Sequence, residues 1–217
     1  MLARGPGAGI MGPVGLYARH VLPRLIDLVM RSRDVMAERV KLVPRAAGTV
    51  LEVGVGSGLN LALYGPAVER LYGLDPSPEL ERMARRRLRH VRVPARLITG
   101  SAEAVPLPDR SVDTVVSTWT LCSIADPARA LAEMRRVLRP GGRFIFIEHG
   151  RSPDPAVLAW QDRLDPIWKR LAGGCHLNRA MDMLIASGGF QITEIERGYN
   201  RGPRPFTFLY RGIGVRS

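Results

Sequence analysis

The sequence predicts one α/β domain built on a mostly parallel sheet with helices on both faces. Three observations carry that prediction. Short apolar runs alternate with stretches of helical period from Thr49 onward. The first run ends in a glycine cluster, Gly54-Val55-Gly56-Ser57-Gly58. Later runs end in small or acidic residues, where sheets of this kind bind their ligands. A length of 217 residues suits one full-sized domain rather than two.

Residues 1–15 are rich in Gly and Pro and read as a flexible tail. Residues 16–46 read as an amphipathic helical lid. Leu22, Leu25, Ile26, Val29, Met36, Val40 and Val43 recur near the helical period, and the stripe is expected to pack on the domain. Arg24, Arg31, Arg33, Arg39 and Lys41 lie between them. Eight positive against three negative side chains over residues 1–46 also suit an anionic membrane surface. Residues 47–217 make up the main domain.

Within it, residues 49–53 form a short apolar run ending in glycines, the pattern of a buried strand. A helical stretch follows. Residues 70–74 are the second strand. Ser77-Pro78 supplies an N-cap with proline at the first helical position, opening a helix to about His90. Residues 95–99 and 112–118 are the third and fourth strands, the latter rich in Val and Thr. Asp126-Pro127 opens the next helix by the same logic, with the stripe Leu131, Met134, Val137 and Leu138, and Pro140-Gly141-Gly142 stops it. Residues 143–148 are the fifth strand. Residues 156–187 read as helical with breaks at Asp165-Pro166, where Asp165 is an N-cap, and at Gly173-Gly174. Residues 190–195 and 206–210 are the closing strands.

Composition removes several classes. The net charge is +12, and 30 of the 32 basic residues are Arg, with only Lys41 and Lys169 as lysines. Such a balance attracts nucleic acid, acidic lipid or phosphorylated ligands. Nucleic acid is disfavoured: the arginine-rich helix over residues 79–90 belongs on an outer face, aromatics are 6%, and no base-stacking motif appears. The two cysteines, Cys122 and Cys175, make no disulfide framework, and no CxxC or HxxxH spacing marks a metal site. No run approaches 18 apolar residues, and residues 1–15 lack the apolar core of a signal peptide. The expected compartment is the cytoplasm, and nothing separates a monomer from a dimer.

The chemistry concentrates at the strand ends. Glu52-Val53-Gly54-Val55-Gly56-Ser57-Gly58-Leu59-Asn60 has GxGxG spacing, whereas the dinucleotide fingerprint requires glycine where Leu59 stands. Asp75 lies 17 residues beyond Gly58 and offers a carboxylate to both hydroxyls of a ribose, or an N-cap to the next helix. Gly100-Ser101-Ala102-Glu103 follows the third strand, and Thr118-Trp119-Thr120-Leu121-Cys122-Ser123 the fourth.

The stretches LEVGVGSG, GLDPSPEL, GSAEAVPLPDRSVDTVVS and LRPGGRFIFIEHG, in that order across roughly residues 49–149, resemble the motifs of class I S-adenosylmethionine-dependent methyltransferases. The resemblance implies a Rossmann-like three-layer sandwich with a seven-stranded sheet, an antiparallel last strand, and S-adenosyl-L-methionine as cofactor. It places Glu52, Gly54, Gly56 and Gly58 at the methionine part of the cofactor and Asp75 at the ribose. Pro76 falls near the adenine, Ala102 and Glu103 read it, and Thr118 and Trp119 border the sulfonium. Val55 stands where many members carry Cys or Ala.

Residues 121–123, 147–149, 161–168 and 174–179 are similar to a narrower group, the membrane-associated alkyl-thiol methyltransferases and their bacterial relatives. The match then spans about residues 20–190. Animal members carry a hydrophobic N-terminal anchor that residues 1–46 do not show, and the basic amphipathic segment stands in its place. The resemblance implies methyl transfer to a small-molecule thiol. The alternative is an amine, phosphatidylethanolamine at a membrane surface. A cofactor-binding module without turnover is the third reading.

His149, Asp162 and His176 are the candidate catalytic residues, with Glu148 a fourth candidate base. His149 follows the fifth strand, and its competing reading is a hydrogen-bonded strand-end histidine. His176 sits in a Gly-Gly-Cys-His loop between helices, where a capping role competes. Cys122 reads as a small core residue. Trp160 and Trp168 read equally as walls of an apolar acceptor pocket or as core.

Overall fold

In the computed structural model, which describes Tyr17 and residues 21–216, residues along the central strands alternate between two apolar layers. On β1 (Gly48–Val53), Leu51 and Val53 face one layer and Val50 the other. On β4 (Val112–Thr118), Val115 and Val116 divide in the same way. On β5 (Leu138–His149), Phe144 and Phe146 oppose Ile145. A strand buried on both sides needs apolar residues at consecutive positions, which is why these runs do not alternate with polar ones.

The remaining strands are β2 (Val68–Asp75), β3 (Ala95–Thr99), β6 (Phe190–Tyr199) and β7 (Phe208–Arg216). The sheet order is β3-β2-β1-β4-β5-β7-β6. The first five strands are parallel to their neighbours, and β7 runs antiparallel to both β5 and β6. The Rossmann-like expectation therefore holds, including the antiparallel last strand. One layer is covered by α4 (Pro127–Val137) through Leu131 and Met134 and by α6 (Met181–Ser187) through Met181 and Ile185. The opposite layer receives Ala84 of α3 (Pro78–Leu88).

The caps expected at Ser77 and Asp126 are formed: Ser77 Oγ accepts from Leu80 N, and Asp126 Oδ1 from Arg129 N. Other expectations need correction. No α-helix follows β1, because three glycines in left-handed conformations turn the chain tightly and only a 3-10 turn, Leu61–Leu63, forms. Strand β5 starts at Leu138 and runs through Pro140-Gly141-Gly142, with its pairing to β4 shifted between Val112 and Thr114. Helix α5 (Pro155–Leu171) continues through Pro166. Val157, Gln161 and Asp165 share one buried face, and that anchoring outweighs the hydrogen bond a proline cannot donate. Asp165 is thus no N-cap; Asp154 caps the helix. The break at Gly173-Gly174 is present, both residues having positive φ.

The largest correction concerns the lid. It is two helices, α1 (Leu22–Met30) and α2 (Arg33–Leu42), separated at Arg31-Ser32. Their apolar stripe faces the domain only in part: Val43 is buried and Leu22, Ile26 and Met36 are half-buried. Leu25, Leu28, Val29 and Val40 are exposed, while Asp27, Glu38 and Arg39 are buried. The tail over residues 1–15 lies outside the described residues.

Candidate active site

Beyond Val53 the chain turns through Gly54, Gly56 and Gly58, all at positive φ. At Gly54 a side chain would strike Thr120, so the turn lies directly against the segment after β4. The amides of Gly54 and Val55 donate to the Leu74 carbonyl at 2.8 and 3.1 Å. Asp75, at the end of β2, accepts from Gly56 N at 2.9 Å through one oxygen and from Ser77 N at 2.8 Å through the other. Burial raises its pKa, against those two backbone donors. Each oxygen keeps acceptor capacity. Pro76 beside it is exposed.

Beneath the glycine turn lies a polar layer. Glu52 is wholly buried and accepts from Asn60 Nδ2 and Tyr64 OH, both at 2.8 Å. Burial pushes its carboxyl up to about 7. Arg39 Nη1 reaches down from α2 to Asn60 Oδ1 at 2.7 Å and Thr118 Oγ1 at 2.6 Å. Its guanidinium lies over the Trp119 ring, 4.8 Å from the centroid. Burial lowers the Arg39 pKa to about 10. Asp27 of α1 accepts from Ser57 Oγ at 2.5 Å and pairs with Arg87 at 2.9 Å. The lid is therefore fastened to the glycine turn by charge and hydrogen bonds. The sequence places Arg39 among the charges between the apolar positions of the lid, and no local signal marks its contact with Asn60 and Thr118.

Ala102 is buried after β3. The Glu103 carboxylate accepts from Asp126 N at 2.8 Å, and its carbonyl accepts from Arg129 Nε at 2.9 Å. Thr118 is buried, and Trp119 holds a left-handed conformation with its amide on the Ile147 carbonyl at 2.7 Å. Glu148, a candidate base, is committed elsewhere. It is fully buried and accepts from Ser117 Oγ at 2.7 Å and Thr120 N at 2.9 Å, fixing the turn after β4. Burial raises its pKa.

His149 is buried at the end of β5. Its Nδ1 lies 3.6 Å from Cys175 Sγ, and its Nε2 has no partner among the described residues. Cys175 in turn lies 3.6 Å from Cys122 Sγ. Within this pair Cys122 is pushed up and Cys175 down to about 4; their mutual hydrogen bond is the chief cause, and His149 favours the Cys175 thiolate further. Trp168 stacks on Phe206 with centroids 4.7 Å apart, and Trp160 is exposed. His176 Nδ1 lies 3.0 Å from Asp165 Oδ2, which makes Asp165 an orienting carboxylate. Asp162 is exposed and accepts from Asn178 Nδ2 at 2.8 Å; among the described residues no hydrogen bond joins it to either histidine. Cys175 was missed because 53 residues separate it from Cys122, and no local spacing reveals the meeting.

A glycine turn after the first strand, an acid at the end of the second, and polar side chains gathered over neighbouring strand ends define an α/β protein that holds a ribose-bearing cofactor at the switch point of its sheet. The comparisons narrow the class. A methyltransferase domain family profile matches residues 51–146. Thiol S-methyltransferase TMT1B of Homo sapiens is 34% identical over 173 residues, 77% of this chain and 70% of that protein. TMT1B of Rattus norvegicus is 34% identical over 165 residues, 74% of this chain and 66% of that one. Phosphatidylethanolamine N-methyltransferase of Cereibacter sphaeroides is 32% identical over 149 residues, 68% of this chain and 72% of that protein. Among solved structures, the N-methyltransferase NodS of Bradyrhizobium japonicum in complex with S-adenosyl-l-homocysteine superposes with a TM-score of 0.67 at 15% identity, covering 94% of this chain and 96% of that one. The chain belongs to the S-adenosylmethionine-dependent methyltransferase family.

The residues present fit that cofactor. Asp75 has unused acceptor capacity for ribose hydroxyls, and the side-chain-free turn at Gly56 leaves the backbone open to close approach. His149 Nε2 is a buried polar atom without a partner among the described residues. No helix among the described residues is long and apolar enough to cross a membrane.

Proposed function

We propose that the chain methylates a small lipophilic thiol while resting on the surface of an anionic membrane, from the cytoplasmic side. The observation that carries the thiol is the 34% identity to a thiol S-methyltransferase over 173 residues, a length that includes the acceptor side as well as the glycine turn.

When bound, the cofactor supplies a methyl group on a positively charged sulfur. Gly54, Gly56 and Gly58 bring backbone to its methionine part, with Glu52 supporting the turn from below through Asn60. Asp75 receives the ribose hydroxyls, Pro76 and Ala102 border the adenine with Glu103 beside them, and Thr118 and Trp119 face the sulfonium. The remaining task is to hold acceptor and methyl in line in a dry site. A thiol near its reference pKa of about 8.5 already gives some thiolate, so a dedicated base is not required. Of the three catalytic candidates, His149 is the one placed to meet the acceptor. His176, oriented by Asp165, lies on the adjoining loop, and exposed Asp162 serves the outer rim.

The membrane half rests on the exposed part of the lid's apolar stripe. Leu25, Leu28 and Val29 of α1 and Ile167 and Leu171 of α5 are exposed, and Leu22 of α1 lies against Gly173 just beyond α5, while the Tyr17 hydroxyl donates to the Leu171 carbonyl at 3.2 Å. Arg24, Arg31 and Arg33 flank the apolar positions. An apolar face rimmed by arginine suits a lipid surface. The same face favours a second acceptor, phosphatidylethanolamine.

The test is S-adenosylhomocysteine formation with hydrogen sulfide, small and alkyl thiols, and phosphatidylethanolamine vesicles. Turnover on alkyl thiols supports the reading, and turnover on vesicles alone replaces it with the amine. Asp75→Ala is expected to abolish cofactor binding, measured calorimetrically, while circular dichroism shows the fold intact. Ordinary affinity in that variant would sink the ribose assignment.

A further inference from the structure

Cys122, His149 and Cys175 come from three separate segments, yet their donor atoms all lie within 4.8 Å of one another. Two edges of this triangle, sulfur to sulfur and Cys175 sulfur to His149 Nδ1, are each 3.6 Å. A tetrahedral Zn²⁺ with bonds of about 2.3 Å to sulfur and about 2.0–2.1 Å to nitrogen has S···S edges of roughly 3.8 Å and S···N edges of roughly 3.6 Å. The framework around the donors is held from outside. His176 N donates to the Cys122 carbonyl at 2.8 Å, Arg179 Nη1 to the Ile124 carbonyl at 2.8 Å, and Leu177 N to Asp165 at 2.7 Å. A donor set fixed in this way loses little freedom on taking a ligand.

We infer that Cys122, His149 and Cys175 form a site for one thiophilic divalent cation, of the Zn²⁺ type, whose fourth position is open to the acceptor sulfur. Two sulfurs and an imidazole select a soft or borderline metal over Mg²⁺ or Ca²⁺. Three protein ligands leave the open position that catalytic zinc sites keep and structural ones close. Cation binding forms two sulfur–metal bonds and releases to solvent the proton that the sulfur pair holds on Cys122. His149, bound through Nδ1, carries its proton on Nε2. An acceptor thiol entering the fourth position breaks its S–H bond, passes the proton to water and forms a sulfur–metal bond. Its sulfur then forms a bond to the methyl carbon as the cofactor's S–CH₃ bond breaks, and the neutral thioether product departs as a weaker ligand. A disulfide is the competing fate of the pair. It requires the sulfurs to close to about 2.05 Å and an oxidant to take two electrons.

The acceptor half of this inference rests on the thiol reading; the cation half does not. The experiment is titration of the fully reduced full-length protein with Co²⁺, read by the d–d bands of tetrahedral cobalt and the thiolate-to-cobalt charge-transfer band. One Co²⁺ per chain is expected. Cys175→Ser and His149→Gln should each weaken binding by more than the ~10–100-fold that a change outside the ligands costs. Unchanged circular dichroism and urea unfolding of those variants certify their fold. Without cofactor, an alkyl thiol should shift the d–d bands. Absence of Co²⁺ binding, or binding that the variants leave unchanged, overturns the site. Binding with no thiol-induced shift overturns its acceptor role, as does full thiol turnover by chelator-treated, metal-free protein. Failure of the thiol reading shows separately, as intact Co²⁺ binding with no turnover on any thiol.

Discussion

Helices α4 and α1 are both amphipathic, and they dock in opposite senses. Helix α4 buries Ala130, Leu131, Met134 and Val137 against the sheet. Helix α1 buries Asp27 and turns Leu28 outward at 68% exposure. Helix α5 sides with α1: Gln161 and Asp165 are buried, while Trp160, Ile167 and Leu171 are exposed. Apolar periodicity thus establishes that a helix has an apolar face without saying what that face meets. Helix α4 covers a sheet layer that is uniformly apolar. Helices α1 and α2 cover strand ends, where backbone groups and the glycine turn need hydrogen-bond partners, so polar side chains are drawn inward.

Breaking the apolar side should have the largest effect. Met134→Ala in α4 removes a fully buried side chain and is expected to cost about 2–5 kcal/mol in urea unfolding. On the polar side, Asp27→Ala strands Ser57 Oγ and takes the carboxylate from Arg87, which keeps the Ser57 carbonyl; about 1–3 kcal/mol should be lost, with weaker cofactor binding because the glycine turn loosens. A loss no greater than that of an exposed substitution would mean that α1 is not fastened through Asp27.

Glu52→Gln sharpens the comparison through pH. The folded Glu52 carboxyl keeps its proton to about 7, whereas the ordinary value is 4.5. Between those values the folded state binds more protons than the unfolded state, so this group's contribution to stability falls as pH rises and levels off above about 7. Relative to wild type, the Gln variant should lack a slope of up to about 1.4 kcal/mol per pH unit, measured as unfolding midpoints across that window. Leu28→Ser should change stability least, within about 0.5 kcal/mol, while reducing co-sedimentation with anionic vesicles. Unchanged co-sedimentation would free α1 from any part in membrane contact.

The regular part of the fold was legible because its signals are local. The β4 boundaries follow from a Val- and Thr-rich run between polar residues, and Ser77-Pro78 and Asp126-Pro127 state their helix starts. Competing signals were misread where a tertiary contact decides. Pro166 signals a break, yet Gln161 ties α5 to the Gly150 and Pro205 carbonyls, and the helix persists. Pro140-Gly141-Gly142 signals a stop, yet lies within β5. In the site, the strand-end residues of the glycine turn and Asp75 were legible from order and spacing. Arg39, Asp27 and the sulfur pair were not, because each acquires its meaning from a partner at least 20 residues away.

The position of β7 between β5 and β6 has a consequence for synthesis on the ribosome. Strand β6 is made before the strand that separates it from the rest of the sheet. Until β7 emerges, β6 has no partner on the β5 side, and β5 presents an unpaired edge to any other nascent chain. Five parallel strands can therefore assemble as translation proceeds, while the last two of the seven must wait and close in one late step. That edge, open only during manufacture, is where aggregation would begin.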